Sequence, residues 1–224
     1  MQLAQVPALA ALTASSALLA ILSAPWGLGL PWLNFVFKPL TTLLVIAYAW
    51  RRGTGAARRW VLVGLALSLC GDVALLWPQQ GFLPGLVSFL LAHLAYLFAF
   101  TRGGVRLAAR PLPFALYALI AGAILWQLWP GVPAPLQVPV GVYVFCLASM
   151  AAQASVVWWC SRRTDDARRA LLLALGGALF VASDALLATD RFGNAPLPYA
   201  GLWILTTYWM AQWCIASWLA PRPA

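Results

Sequence analysis

Long apolar stretches broken by short polar segments run the length of the chain. A helix that crosses a bilayer needs about 20 mostly apolar residues. Eight stretches approach that length: roughly 6–25, 30–50, 60–77, 82–100, 111–129, 139–160, 171–189 and 199–219. The first has no basic leader and no clear A-x-A cleavage site, so it reads as a helix rather than a signal peptide. The pattern predicts an all-α fold, a polytopic transmembrane helical bundle of about eight helices in one integral membrane domain over residues 1–224.

Composition narrows the class. Of 224 residues, 63% are apolar and 8% charged, against about 25% charged in a soluble domain. This excludes a soluble enzyme, a disordered chain and a secreted disulfide scaffold. Cys70, Cys146, Cys160 and Cys214 lie in or at the ends of apolar runs with no CxxC pairing, and read as small hydrophobes. With one histidine in the chain, a His-rich zinc centre cannot be built, and no metal or cofactor is expected.

The formal charge of +9 comes in clusters between spans, the mark of topology rather than of a nucleic-acid face. Arg51, Arg52, Arg58 and Arg59 follow span 2. Arg102, Arg106 and Arg110 follow span 4, Arg162, Arg163, Arg168 and Arg169 follow span 6, and Arg222 follows span 8. Twelve of the fourteen basic residues thus fall on one side. Arg191 stands alone in an opposite loop, and Lys38 lies inside a span. The positive-inside rule predicts a multi-pass protein of the cell membrane (the inner membrane in a Gram-negative cell) with both termini cytoplasmic. Membrane lipid is the expected environment, nucleic acid is not an expected partner, and nothing in the pattern specifies an oligomer.

Two segments of the chain also read alike. Residues 51–59 read RRGTGAARR and 162–169 read RRTDDARR. Each leads into an apolar run ending in a small residue plus Asp, Gly71-Asp72 and then Ser183-Asp184. A parallel four-plus-four duplication would set Asp72 and Asp184 at equivalent depths.

Ionisable groups in hydrocarbon cost about 2.5–3.5 kcal/mol on insertion scales. The spans hold four: Lys38, Asp72, His93 and Asp184. At about 1.5 Å of rise per residue, all four fall in the outer half or near the midplane, which predicts one shared cavity. Their neighbours are polar at helical spacing: Asn34, Lys38, Thr41 and Thr42 on span 2, Ser68 with Asp72, His93 with Tyr96, Ser149 with Gln153, and Tyr208 with Gln212 beside Thr206 and Thr207. Interhelical hydrogen bonding alone accounts for Ser149, Gln153 and Thr206. Two carboxyls in different surroundings serve as one acid and one carboxylate, which drives acid–base cleavage of acetal-like and ether bonds and equally drives proton-coupled transport. The inventory leaves both open. No G-x-S-x-G elbow and no phosphate-cradling loop with Lys is present.

The order of motifs adds to this. Asn34-Phe35-Val36-Phe37-Lys38-Pro39-Leu40-Thr41 precedes Gly71-Asp72-Val73-Ala74-Leu75-Leu76. His93-Leu94-Ala95-Tyr96, Ser183-Asp184 and Thr207-Tyr208-Trp209-Met210-Ala211-Gln212 follow. This succession, across nearly the whole chain, resembles the YhhN-like lysoplasmalogenase family of eight-span membrane proteins. The resemblance implies hydrolysis of the vinyl ether bond of a lysophospholipid substrate, giving a fatty aldehyde and a glycerophospho-headgroup alcohol. On that reading Asp72 and Asp184 are the acid–base pair and His93 orders water or relays protons. Lys38, Asn34, Tyr96, Tyr208 and Gln212 bind substrate, with the lipid head near Arg191 and Tyr199. The alternatives from other classes are a proton-coupled transporter of a small solute or lipid, using Lys38, Asp72 and Asp184 as a relay, and a non-catalytic scaffold in which the ionisable groups are helix glue.

Overall fold

A computed structural model describes residues 2–221, with side chains from Pro7 onward. Arg222 and the extreme ends of the expected domain lie outside the described residues. Eight helices follow in order: α1 (Gln2–Leu22), α2 (Pro31–Trp50), α3 (Gly55–Ala74), α4 (Phe82–Thr101), α5 (Pro111–Leu128), α6 (Ala134–Ser161), α7 (Ala167–Phe192) and α8 (Ala200–Trp218). Each falls on one of the eight apolar stretches. The largest difference is at α3, which begins and ends a turn earlier than expected because Arg58 and Arg59 are helical rather than part of the loop. Five helices (α2, α4, α5 with the short turn after it, α6 and α7) are long and apolar enough to cross a membrane. Of the other three, α1 is shorter over its described apolar part, Pro7–Leu22, while α3 and α8 are diluted by polar groups, with Arg58, Arg59 and Asp72 in α3 and Thr206, Thr207, Tyr208 and Gln212 in α8.

Proline and glycine mark the boundaries. Pro31 and Pro111 open α2 and α5, where the missing N–H is an orphan in any case. The α2–α3 turn needs Gly53 and Gly55, whose φ angles of 61° and 75° are left-handed.

α2, α3, α4, α6, α7 and α8 form a ring, each packed on the next, and α8 closes it against α2. α1 lies outside against α2, and α5 lies outside against α6. A latch secures the closure. Arg52 donates from Nε to the Leu219 carbonyl (2.9 Å) and from Nη2 to that of Ser217 (3.1 Å), and Gly53 N–H donates to the Ala220 carbonyl (2.6 Å).

Polarity is inverted relative to a water-soluble protein. Asp72, His93, Gln153 and Gln212 are fully buried, while Trp126 is 84% exposed and Leu119 and Phe145 are both 73% exposed. An apolar exterior around a polar interior is what a hydrocarbon solvent selects.

Glycine sets the approach of α3 to α4. A Cβ at Gly64 would stand 2.3 Å from the ring of Tyr96, and one at Gly71 would stand 2.5 Å from the ring of Phe89. Tyr96 cannot swing aside, because its hydroxyl is tied across the ring of helices to Gln212. Gly64→Ala is therefore expected to cost about 2 kcal/mol by overpacking, read as a fall of several degrees in the thermal midpoint of the detergent-solubilised protein. An unchanged midpoint would show that α3 and α4 can separate freely.

Candidate active site

Two acidic centres sit side by side inside the ring. The first is built on α3, α2 and α8. Asp72 Oδ2 accepts a hydrogen bond from Thr42 Oγ1 (2.6 Å) and another from the Tyr208 hydroxyl (2.8 Å). The indole N–H of Trp209 donates to Thr42 Oγ1 (3.3 Å), fixing that hydroxyl from the far side. Thr42 lies one turn beyond Lys38 on α2, as the helical spacing required. Lys38 is buried, and among the described residues it makes no ion pair within 4 Å. Asp72 is the acid whose charge acts on it.

Deeper in the same layer, the Tyr96 hydroxyl donates to Gln212 Oε1 (2.6 Å), joining α4 to α8. Ser68 Oγ and Gln212 Nε2 are buried here without hydrogen-bond partners. Asn34 stands apart; its Oδ1 is buried and unpartnered, and it bonds to none of the other candidate residues.

The second centre is built on α7, α6 and α4. The Tyr143 hydroxyl donates to Asp184 Oδ2 (2.6 Å), and His93 Nε2 lies 3.9 Å from the same oxygen. Both ring nitrogens of His93 are buried without a hydrogen-bond partner. The imidazole is held by ring edges, 5.2 Å from Tyr143 and 4.7 Å from Phe180 between centroids.

Aromatic rings stand between the two centres. Phe180 meets His93 on one side and Tyr208 (5.6 Å) on the other, and Phe89 meets Tyr208 at 5.8 Å. These rings stand between residues expected to share a single cavity. A groove opens between α4, α5, α6 and α7, lined by Leu75, Phe82, Phe89, Leu125, Leu147 and other apolar side chains. Of the four ionisable groups in the spans, Asp184 lines it, and Tyr143 lines it beside Asp184. Lys38, Asp72 and His93 do not, and neither do Asn34, Tyr96, Tyr208 and Gln212. Phe89 forms part of the groove wall and meets the Tyr208 ring of the first centre.

Sequence reasoning missed Tyr143. A lone tyrosine in a run such as Val-Pro-Val-Gly-Val-Tyr-Val-Phe passes as an aromatic wall residue. Its value lies in a partner 41 positions away on another helix. Among the described residues no group of three or more His, Cys, Asp or Glu side chains is placed to hold a metal ion.

An apolar exterior around a polar interior, with an apolar groove that has one acid in its wall, marks a helical membrane protein. The chain belongs to the YhhN family, whose sequence profile matches residues 33–219. It is 31% identical over 188 residues to the lysoplasmalogenase TMEM86B of Homo sapiens, covering 82% of this chain and 74% of that one. It is 30% identical over 199 residues to the lysoplasmalogenase TMEM86A of Bos taurus, covering 83% and 77%. A lysoplasmalogenase of Mycobacterium bovis is 30% identical over 186 residues, covering 75% and 64%. No solved structure matches this chain.

Proposed function

We propose that this protein is a membrane-embedded hydrolase of the vinyl ether bond of lysoplasmalogens. The observation that carries the reading is Asp184, paired with Tyr143, on the wall of a groove otherwise apolar enough for a single hydrocarbon chain. Kinship with lysoplasmalogenases of animals and bacteria supports the substrate class.

The reaction needs a proton delivered to carbon. Asp184, protonated, donates to the outer carbon of the alkene, and an oxocarbenium ion forms at the carbon bonded to oxygen. The carboxylate left behind faces that cation and takes a proton from the water that adds to it. The hemiacetal then collapses to a fatty aldehyde and the glycerol hydroxyl. One water is consumed and Asp184 is restored. Tyr143 orients the carboxyl, so that one oxygen is tied and the other is left to the substrate. His93, 3.9 Å away, orders water or relays the proton. Asp72 is the partner carboxylate of the pair. It receives two hydroxyl donors with Lys38 nearby, and it supplies fixed negative charge from behind Phe89.

On this reading both termini are cytoplasmic, as the positive-inside rule applied to the arginine-rich loops supports, and the groove then opens toward the outer leaflet of the cell membrane. The parallel duplication is kept as part of this reading. It maps α2 to α6, α3 to α7 and α4 to α8, and the ring of neighbours is preserved under that exchange.

Aldehyde release from a lysoplasmalogen by the purified protein in detergent tests the proposal. Hydrolysis without a sealed compartment is expected. No aldehyde from well-folded protein, together with proton-dependent uptake in sealed vesicles, would replace the hydrolase by the transporter.

A further inference from the structure

The groove has a second end, and one cation stands there. Arg191 lies in the last turn of α7, exposed, with its guanidinium 5.0 Å from the centroid of the Phe82 ring. Phe82 lines the groove and meets Phe192, another lining residue, at 5.8 Å. The loops at this end of the bundle, 23–30, 75–81, 129–133 and 193–199, contain no other Lys or Arg. Among the described residues Arg191 makes no ion pair. The adjacent Asp190 turns its Oδ1 onto the Leu197 N–H (3.0 Å). Stacking on a ring uses the face of a guanidinium and leaves its N–H edge free for an anion.

Register gives the cation its meaning. Arg191 is seven residues beyond Asp184, two helical turns along the same face and about 10 Å along the axis. In a 1-alkenyl glycerophospholipid, seven bonds separate the alkene carbon that takes the proton from the phosphorus. An extended chain gains roughly 1.2 Å per bond, so the span is about 8 Å. A phosphate hydrogen-bonded to Arg191 therefore leaves the reactive carbon beside Asp184.

We propose that Arg191 and Asp184 form a two-point ruler on α7, with Arg191 binding the phosphodiester of a single-chain lipid so that its vinyl ether is aligned with the acid. The proposal rests on the lysoplasmalogen reading and extends it to the headgroup. It selects for the phosphate and its distance from the alkene, and is indifferent to the alcohol beyond it.

The test compares lysoplasmenylethanolamine with the phosphate-free 1-alkenylglycerol in detergent micelles. In Arg191→Gln the ratio of kcat/KM for the phospholipid over the alkenylglycerol falls about tenfold, chiefly through KM, as expected for one lost charge-assisted contact. Arg191→Lys retains most of the ratio, and Arg106→Gln, at the other end of the bundle, leaves it unchanged. An unchanged ratio in Arg191→Gln, or an equal fall in Arg106→Gln, overturns the ruler. Binding of the saturated 1-alkyl lysophospholipid, followed by tryptophan fluorescence, reads the anchor without chemistry. If wild type cleaves neither substrate but Arg191→Gln weakens this binding, the hydrolase reading fails and the phosphate anchor stands. If binding is unaffected, the anchor fails. Inorganic phosphate is expected not to displace the lipid; displacement that depends on Arg191 would assign the site to free phosphate and overturn the proposal.

Discussion

Asp184→Asn is expected to release aldehyde about a thousandfold more slowly than wild type, within the range lost when a positioned acid or base is removed. Its thermal midpoint is expected to stay near that of wild type. The amide matches the carboxyl in shape, and its oxygen still accepts from the Tyr143 hydroxyl, now 2.6 Å away. The side chain is 13% exposed and its nearest basic group, the His93 imidazole, is 3.9 Å away, so little packing depends on its charge. What disappears is the transferable proton. Tyr143→Phe keeps that proton and loses only the orientation, so it slows turnover far less. Undiminished aldehyde release by a folded Asp184→Asn variant removes Asp184 from the chemistry.

Ala188→Trp is expected to lower kcat/KM on a lysoplasmalogen by about a hundredfold, mostly through KM, with the fold retained. Ala188 lies one turn beyond Asp184 on α7 and lines the groove. An indole there fills the path between the acid and the outer mouth, so the vinyl ether and its headgroup cannot lie beside the acid, and a displacement of about 1 Å from the productive pose is enough for a loss of this size. The side chain is accommodated because α5, the opposite wall, is mostly exposed and packs mainly on α6 with only a light contact to α7. Steady-state kinetics in micelles checks it. A variant with wild-type KM would mean that the chain lies elsewhere.

The eight helices were legible because a bilayer forces one length scale on every span, and apolar runs of that length have few other uses. The ionisable groups were legible for a related reason. Hydrocarbon makes each buried charge costly, so Lys38, Asp72, His93 and Asp184 stand out against their surroundings. Thr42 and Tyr208 were reachable by helical spacing alone, since each shares a face with a residue already singled out. How these residues divide was not legible. Whether four polar groups share a cavity depends on which rings fall between them, and Phe89 and Phe180 are indistinguishable in sequence from any other apolar wall residue. Tyr143 and the groove were hidden for the same reason. They are products of helix packing at long range, which periodicity along one helix does not encode. Arg191 was visible as the one basic residue in its set of loops, but its register with Asp184 acquires meaning only once α7 is seen to extend to Phe192.

The latch between Arg52 and the end of α8 also bears on the order in which the molecule is made. Domains are completed from the N-terminus during synthesis, so α2 and α3 leave the ribosome well before α8. Asp72 and Thr42 can meet early, whereas Tyr208, Trp209 and Gln212 arrive later on α8. Until α8 docks, the first acidic centre has one of its three hydrogen bonds, that from Thr42 to Asp72, and the carbonyls of Ser217 and Leu219 have no arginine to receive. The site is therefore assembled by one late event, the docking of α8 onto α2, and a nascent chain lacking it carries a buried acid that is still incompletely partnered.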